Sequence, residues 1–163
     1  MLMNEPEKLK RSIRSWILLF IVLLILSGIT AFPLEWELRT LAGFSEYMPQ
    51  GMAFWIIQVN NALTDTYSKY PFLGYGYDWL AFAHIIIGIF FIGPLRDPVK
   101  NIWIIESGMI ACILVIPLAL IAGPIRHIPF FWRLIDCSFG IFGIVPLWIV
   151  RIKIKKLESL LIN

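Results

Sequence analysis

The chain has 163 residues, of which 59% are hydrophobic and only 15% charged, and its mean hydropathy is +0.79, a balance that excludes an ordinary water-soluble domain. This length holds about four spans of roughly 20 residues plus one modest extramembrane segment, so a single domain over residues 1–163 is expected and a second folded domain is excluded. The net charge of +3 comes from short basic clusters beside apolar runs, a pattern that orients a membrane protein and offers no face for nucleic acid.

Lys8, Lys10, Arg11 and Arg14 precede an unbroken apolar run from Trp16 to Phe32. The run is too long for the apolar core of a signal peptide, and no small-residue cleavage site follows it. It predicts a retained first span over residues 16–33, closed at Pro33, after which Glu35, Glu37 and Arg39 restore polarity.

Residues 34–78 read as an outer loop. Within it Met52, Trp55, Ile56, Val59 and Leu63 recur at three- and four-residue spacing, while Gln58, Asn60, Asn61, Asp65 and Ser68 take the other positions. This predicts an amphipathic helix over residues 52–67, lying on the outer membrane surface or capping the bundle. It is also the surface through which a homo-oligomer or a membrane-complex partner would dock. The run Tyr70-Pro71-Phe72-Leu73-Gly74-Tyr75-Gly76-Tyr77 reads as an interfacial turn, because proline and glycine break helices and tyrosine suits the headgroup layer.

Asp78 is the expected N-cap of a second span over residues 79–95, which Gly93-Pro94 ends. Asp97-Pro98 then opens a third over residues 99–122, and so short a link makes these two helices antiparallel neighbours. Gly123-Pro124 closes the third span, Ile128-Pro129 opens a fourth over residues 128–150, and a basic tail of Arg151, Lys153, Lys155 and Lys156 follows.

Ten of the fourteen lysines and arginines lie before the first span, in the short link (Arg96, Lys100) or in the tail. Arg39, Lys69, Arg126 and Arg133 fall on the other side. Both termini are therefore assigned to the cytoplasm. Tryptophan placement agrees, with Trp16, Trp103 and Trp148 near the inner boundary and Trp36, Trp79 and Trp132 near the outer one. The expected fold class is an all-α integral membrane protein: a four-transmembrane-helix bundle with an extracytoplasmic amphipathic helix between spans one and two. A prokaryotic cytoplasmic membrane is the expected location and the lipid bilayer its first partner.

Ionisable residues inside the spans are the natural site candidates, since each costs about 2.5 to 3.5 kcal/mol at mid-helix unless it is paired or faces the interior. His84 lies about 8 Å below Trp79 and Asp136 about 12 Å below Ile128, with Arg133 slightly shallower. Arg133 and Asp136 are three residues apart and share a helix face, which predicts an ion pair. His84, Arg133 and Asp136 are thus read either as a structural lock or as an outer-half polar pocket for a quinone, an anion or a lipid headgroup. Glu106 enters from the inner side as a lone carboxyl, with no basic neighbour three or four residues away on its own helix; Arg14 and Arg151 are its candidate partners.

Haem ligation by a pair of histidines fits poorly, because only His84 and His127 exist and they differ in depth by about 10 Å. No cofactor is predicted, with haem or quinone kept as minor alternatives. No metal motif, no glycine-flanked serine and no Cys-x-x-Cys pair occurs, and Cys112 and Cys137 read as core residues. Enzyme status is unsupported and catalytic residues are unassigned.

Gly93-Pro94-Leu95-Arg96 before Trp103 and Glu106 is similar to Gly123-Pro124-Ile125-Arg126 before Trp132 and Asp136, on opposite membrane faces. An inverted repeat of this kind occurs in transport folds, although these residues also suit any short link between spans. Pro117 and Pro146 can bend their helices, and Gly88, Gly108, Gly140 and Gly143 favour close helix packing. Three function classes follow, in this order: a non-catalytic membrane subunit or scaffold; a redox or quinone-associated protein using His84, Arg133 and Asp136; and an oligomeric small transporter or channel using Glu106 and Asp136.

Overall fold

The computed structural model describes residues 4–162, and every regular element among them is helical. In chain order these are α1 (Glu5–Ala31), α2 (Leu34–Gly43), α3 (Gln50–Lys69), α4 (Gly74–Phe90), α5 (Ile92–Arg96), α6 (Ile102–Ile125) and α7 (Phe130–Ile162), with single 3-10 turns at Ser45–Tyr47 and Pro71–Leu73. Four stretches are long and apolar enough to cross a membrane: Glu5–Ala31, Pro71–Arg96, Ile102–Ile125 and Phe130–Ile162. The shortest, α6, rises about 36 Å at 1.5 Å per residue, enough to clear a hydrocarbon layer of about 30 Å.

The described chain packs as two compact units, one holding the residues up to Leu23 and from Ile87 onward, the other Leu24–Ile86. Helices α1 and α4 run unbroken across the two divisions.

In the first unit, each helix turns one stripe inward. Ile13, Ile17 and Ile21 of α1, Ile105 and Met109 of α6, and Leu147, Val150, Ile154 and Leu157 of α7 are all buried, at the three- and four-residue spacing that aligns side chains on a helix face. Helices α6 and α7 approach at glycines, as the sequence suggests. A methyl group on Gly140 would strike the backbone carbonyl oxygen of Cys112, one on Gly143 would lie 2.9 Å from the Cys112 thiol, and one on Gly108 would lie 2.8 Å from the Phe91 ring. Cys112 and Cys137 are free thiols.

The opposite stripe of α6 stays uncovered: Ile110, Ile113, Leu114, Leu118, Ile121 and Ile125 are all exposed. In water so long an apolar face is a liability; against acyl chains it needs no protein partner.

In the second unit the end of α1 crosses α4 at Gly28, where a methyl group would come within 2.7 Å of the Ala81 carbonyl oxygen. Helices α2 and α3 form a hairpin whose buried anchors are Leu38 and Ile56. The amphipathic reading of 52–67 gives the right face except at Asn60, which is half-buried: Met52, Trp55, Ile56, Val59 and Leu63 are buried or half-buried, whereas Gln58, Asn61, Asp65 and Ser68 are exposed. Leu34–Gly43, expected as part of the outer loop, is a helix as well.

Several boundaries shift, each for a local reason. Helix α1 begins ahead of the basic stretch, at Glu5, where the Asn4 carboxamide oxygen accepts the Glu7 N–H at 3.1 Å and caps the first turn. Asp78 is not an N-cap, because α4 already starts at Gly74, directly after the 3-10 turn that Pro71 opens. Asp97-Pro98 does not open α6 either. Asp97 closes α5 and its Oδ1 accepts the Lys100 N–H at 3.1 Å, while the Asn101 side-chain amide donates to the carbonyls of Gly93 and Asp97; α6 starts only at Ile102. Helix α7 runs on to Ile162, well past the expected end at 150, because no breaker interrupts 151–162 and Ile154 and Leu157 continue the buried stripe.

Helix α6 also continues through Gly123-Pro124 to Ile125 and ends on His127, which adopts φ of 57°. The His127 N–H bonds Pro124 O at 3.1 Å and the Ile128 N–H bonds Gly123 O at 2.9 Å, the paired bonds of a left-handed helix stop. Glycine holds that conformation without the penalty of a side chain. His127→Gly is therefore expected to stabilise the protein by about 1 kcal/mol in a detergent unfolding titration. A destabilising result would show that the imidazole makes a contact that outweighs the backbone strain.

Candidate functional site

Polar chemistry gathers where the chain ends meet, along the last three turns of α7. Arg151 Nε donates to Glu106 Oε1 of α6 at 2.8 Å, and the two side chains are 39% and 29% exposed. One turn on, Lys153 Nζ donates to the hydroxyl of Ser12 on α1. Lys156 Nζ then lies 2.6 Å from Glu5 Oε1 on α1, while Lys155 pairs within α7 with Glu158 at 3.0 Å. Alternation explains the arrangement. The buried stripe Leu147, Val150, Ile154 and Leu157 fixes the rotation of α7, and the basic residues between its members emerge on the flanks that border α1 and α6.

Glu106, isolated on its own helix, is therefore not isolated in the fold. Of its two candidate partners the structure selects Arg151, 45 positions along the chain. The ties from α7 to Ser12 and Glu5 are not expected from the sequence, in which the basic tail reads as an orientation signal. The apolar spacing that continues through Ile154, Leu157 and Leu161 was the available sign that this tail is a packed helix.

Arg133 and Asp136 do not form the predicted ion pair. Helical side chains lean toward the N-terminus of their helix. Arg133 follows that rule: its guanidinium carbon sits 5.2 Å from the Phe130 ring centroid, one turn back, and its Cγ and Cδ press on Gly123 of α6 where a side chain would clash. Asp136 lies one turn the other way, with a side chain too short to follow. Asp136 has no hydrogen-bond or ion-pair partner among the described residues, and the Arg133 Nε is buried without an acceptor.

His84 belongs to the other unit. Its Nδ1 is 2.9 Å from the Leu80 carbonyl oxygen and donates to it, since a carbonyl only accepts. It stands beside the crossing of α1 and α4, its Cβ among the atoms nearest Gly28.

The described surface is recessed in each of the two units. In the second unit Phe32, Pro33, Glu35, Trp36, Arg39 and Tyr67 line a shallow volume of about 340 Å³, spanned by an Arg39–Glu35 ion pair of 2.9 Å. Burial against its surroundings, with smaller contributions from the carboxylates of Asp78 and Glu35, pushes the Tyr67 phenol above its ordinary value, so it stays a neutral donor there. In the first unit a groove of about 400 Å³ lies among Lys10, Arg14, Arg96, Lys100 and Leu157. No group of three or more histidine, cysteine, aspartate or glutamate side chains that could hold a metal occurs among the described residues. No protein-family model, no curated protein and no solved structure matches the chain.

Proposed function

We propose that this protein is a non-catalytic multi-pass membrane subunit or scaffold: a four-helix bundle with both termini in the cytoplasm and the α2–α3 hairpin outside, in a prokaryotic cytoplasmic membrane. The observation that carries this reading is the Arg151–Glu106 bond. An intramembrane carboxyl engaged by a guanidinium on the neighbouring helix ties helices together and is not poised to carry protons or cations. The α2–α3 hairpin supplies the docking face for a second copy or another membrane chain, with Trp36, Phe44, Tyr47 and Phe54 all more than half exposed.

Native mass spectrometry of the full chain released from mild detergent tests this. The expected result is an oligomer or a stoichiometric partner chain, with no redox cofactor. A chain that flies as a bare monomer, or that carries haem or quinone in stoichiometric amount, would sink the proposal.

One observation favours a second reading, a redox or quinone-associated protein. The buried Arg133 Nε has no acceptor, and a quinone or anionic oxygen could supply one. On that reading Arg133→Leu lowers quinone retention in lipid extracts at least tenfold while helical content is unchanged.

A further inference from the structure

The groove in the first unit is built from three separate stretches of chain. Lys10 and Arg14 come from α1, Arg96 from the end of α5 and Lys100 from the link that follows it, and Leu157 and Leu161 from the end of α7. Lys10, Arg14 and Arg96 have no ion-pair partner among the described residues. Lys100 shares the groove's single carboxylate, Asp97, at 3.6 Å. Asp97 is already committed to the link, since its other oxygen accepts the Lys100 N–H.

Four cations against one carboxylate leave a net charge of +3 around a recess of about 400 Å³. A simple orientation signal requires only that basic residues lie on one side; it does not require them to converge from distant segments onto one volume. Leu157 closes one wall of the groove and Leu161 stands exposed beside it. The height is right as well. Lys10 and Arg14 directly precede the apolar run that starts at Trp16, and Arg96 and Lys100 sit between two spans, so the groove stands where lipid headgroups stand.

We infer that this groove is a binding site for the headgroup of an anionic phospholipid, whose phosphodiester is held by Arg14, Arg96 and Lys10. The guanidinium groups suit the phosphate because each can present two parallel N–H donors to two oxygens. Asp97 sets selectivity by disfavouring more highly charged anions.

Native mass spectrometry of the full chain titrated with phosphatidylglycerol, phosphatidylcholine or inorganic phosphate provides the test. The expected result is saturable phosphatidylglycerol binding, with phosphatidylcholine at least tenfold weaker and inorganic phosphate unable to displace the lipid. The combined change Lys10→Gln, Arg14→Gln and Arg96→Gln lowers affinity on the order of a hundredfold, at about fivefold per cation. A control with the same charge loss outside the groove, Lys8→Gln with Arg11→Gln and Arg126→Gln, keeps affinity within about threefold. Asp97→Asn retains an acceptor for the Lys100 N–H, removes the only negative charge and tightens binding about fivefold. Equal binding of the two lipids, equal losses in both triple variants, or displacement by inorganic phosphate would each overturn the assignment. If the groove variant fails to fold, Asp97→Asn decides alone, since an unchanged affinity there refutes the site.

Discussion

Gly140→Leu is expected to lower the thermal midpoint of the detergent-solubilised protein by about 10 °C. Its position leaves no room for a side chain, because even a methyl group would run into the Cys112 carbonyl oxygen. That oxygen belongs to the backbone of α6, held in the helical hydrogen-bond ladder, so it cannot rotate aside as the end of a flexible side chain would. Helices α6 and α7 must separate. Overpacking typically costs about 1 to 3 kcal/mol, and a backbone obstruction places this case at about the upper value. In a chain of this size each kcal/mol moves the midpoint by about 2–4 °C. Gly140→Ala shifts it in the same direction by about half as much. Gly43→Ala and Gly51→Ala serve as controls, since nothing lies within 4 Å of an added methyl group there; both are expected to be neutral or stabilising by up to about 1 kcal/mol. A Gly140→Ala midpoint equal to these controls would refute the close crossing.

The second large effect concerns the pair of Glu106 and Arg151. Arg151→Leu leaves the Glu106 carboxylate without its donor, 29% exposed and flanked by apolar helix. Breaking a fully buried pair from one side costs about 3 to 5 kcal/mol, and exposed pairs contribute about 1 kcal/mol or less. With both partners partly exposed, a loss of about 2 kcal/mol is expected for Arg151→Leu. Glu106→Gln costs less, because an amide still accepts the Arg151 N–H and leaves no buried negative charge. The double variant Arg151→Leu with Glu106→Leu recovers much of the loss, since neither charge remains unpaired. A thermodynamic cycle built on these variants should return a coupling of about 1 to 2 kcal/mol; additive losses would mean the two side chains do not meet. If Glu106 instead carried protons or cations, Glu106→Gln would abolish flux in vesicles with stability almost unchanged, which separates the transporter reading from the structural one.

The membrane-spanning helices were legible in the sequence because their signal is local. An apolar run satisfies its backbone hydrogen bonds within itself, so length and composition alone identify a helix that can cross a bilayer. The stripe Met52, Trp55, Ile56, Val59 and Leu63 was legible for a related reason, since spacing on a helix determines which residues share a face. Boundaries were less so. Asp78 and Asp97 both looked like helix starts, yet one lies inside α4 and the other closes α5, because a cap residue acts only if the backbone there is already leaving the helix. His127, which ends α6 in a left-handed conformation, carries no strong marker in a sequence whose adjacent Gly123-Pro124 looks like the better stop.

Among the candidate site residues the division is sharper. That Glu106, Arg133 and Asp136 need partners or a polar surrounding follows from residue type and position alone, since an apolar helix makes an ionisable side chain costly wherever it points. Packing sets what each receives: Glu106 meets Arg151, Arg133 turns back over Phe130 and against Gly123, and Asp136 receives neither. The Glu106–Arg151 partnership depends on how α7 is rotated and how closely it crosses α6. Those quantities are set by glycines and buried stripes on helices that are separate along the chain and meet only on packing.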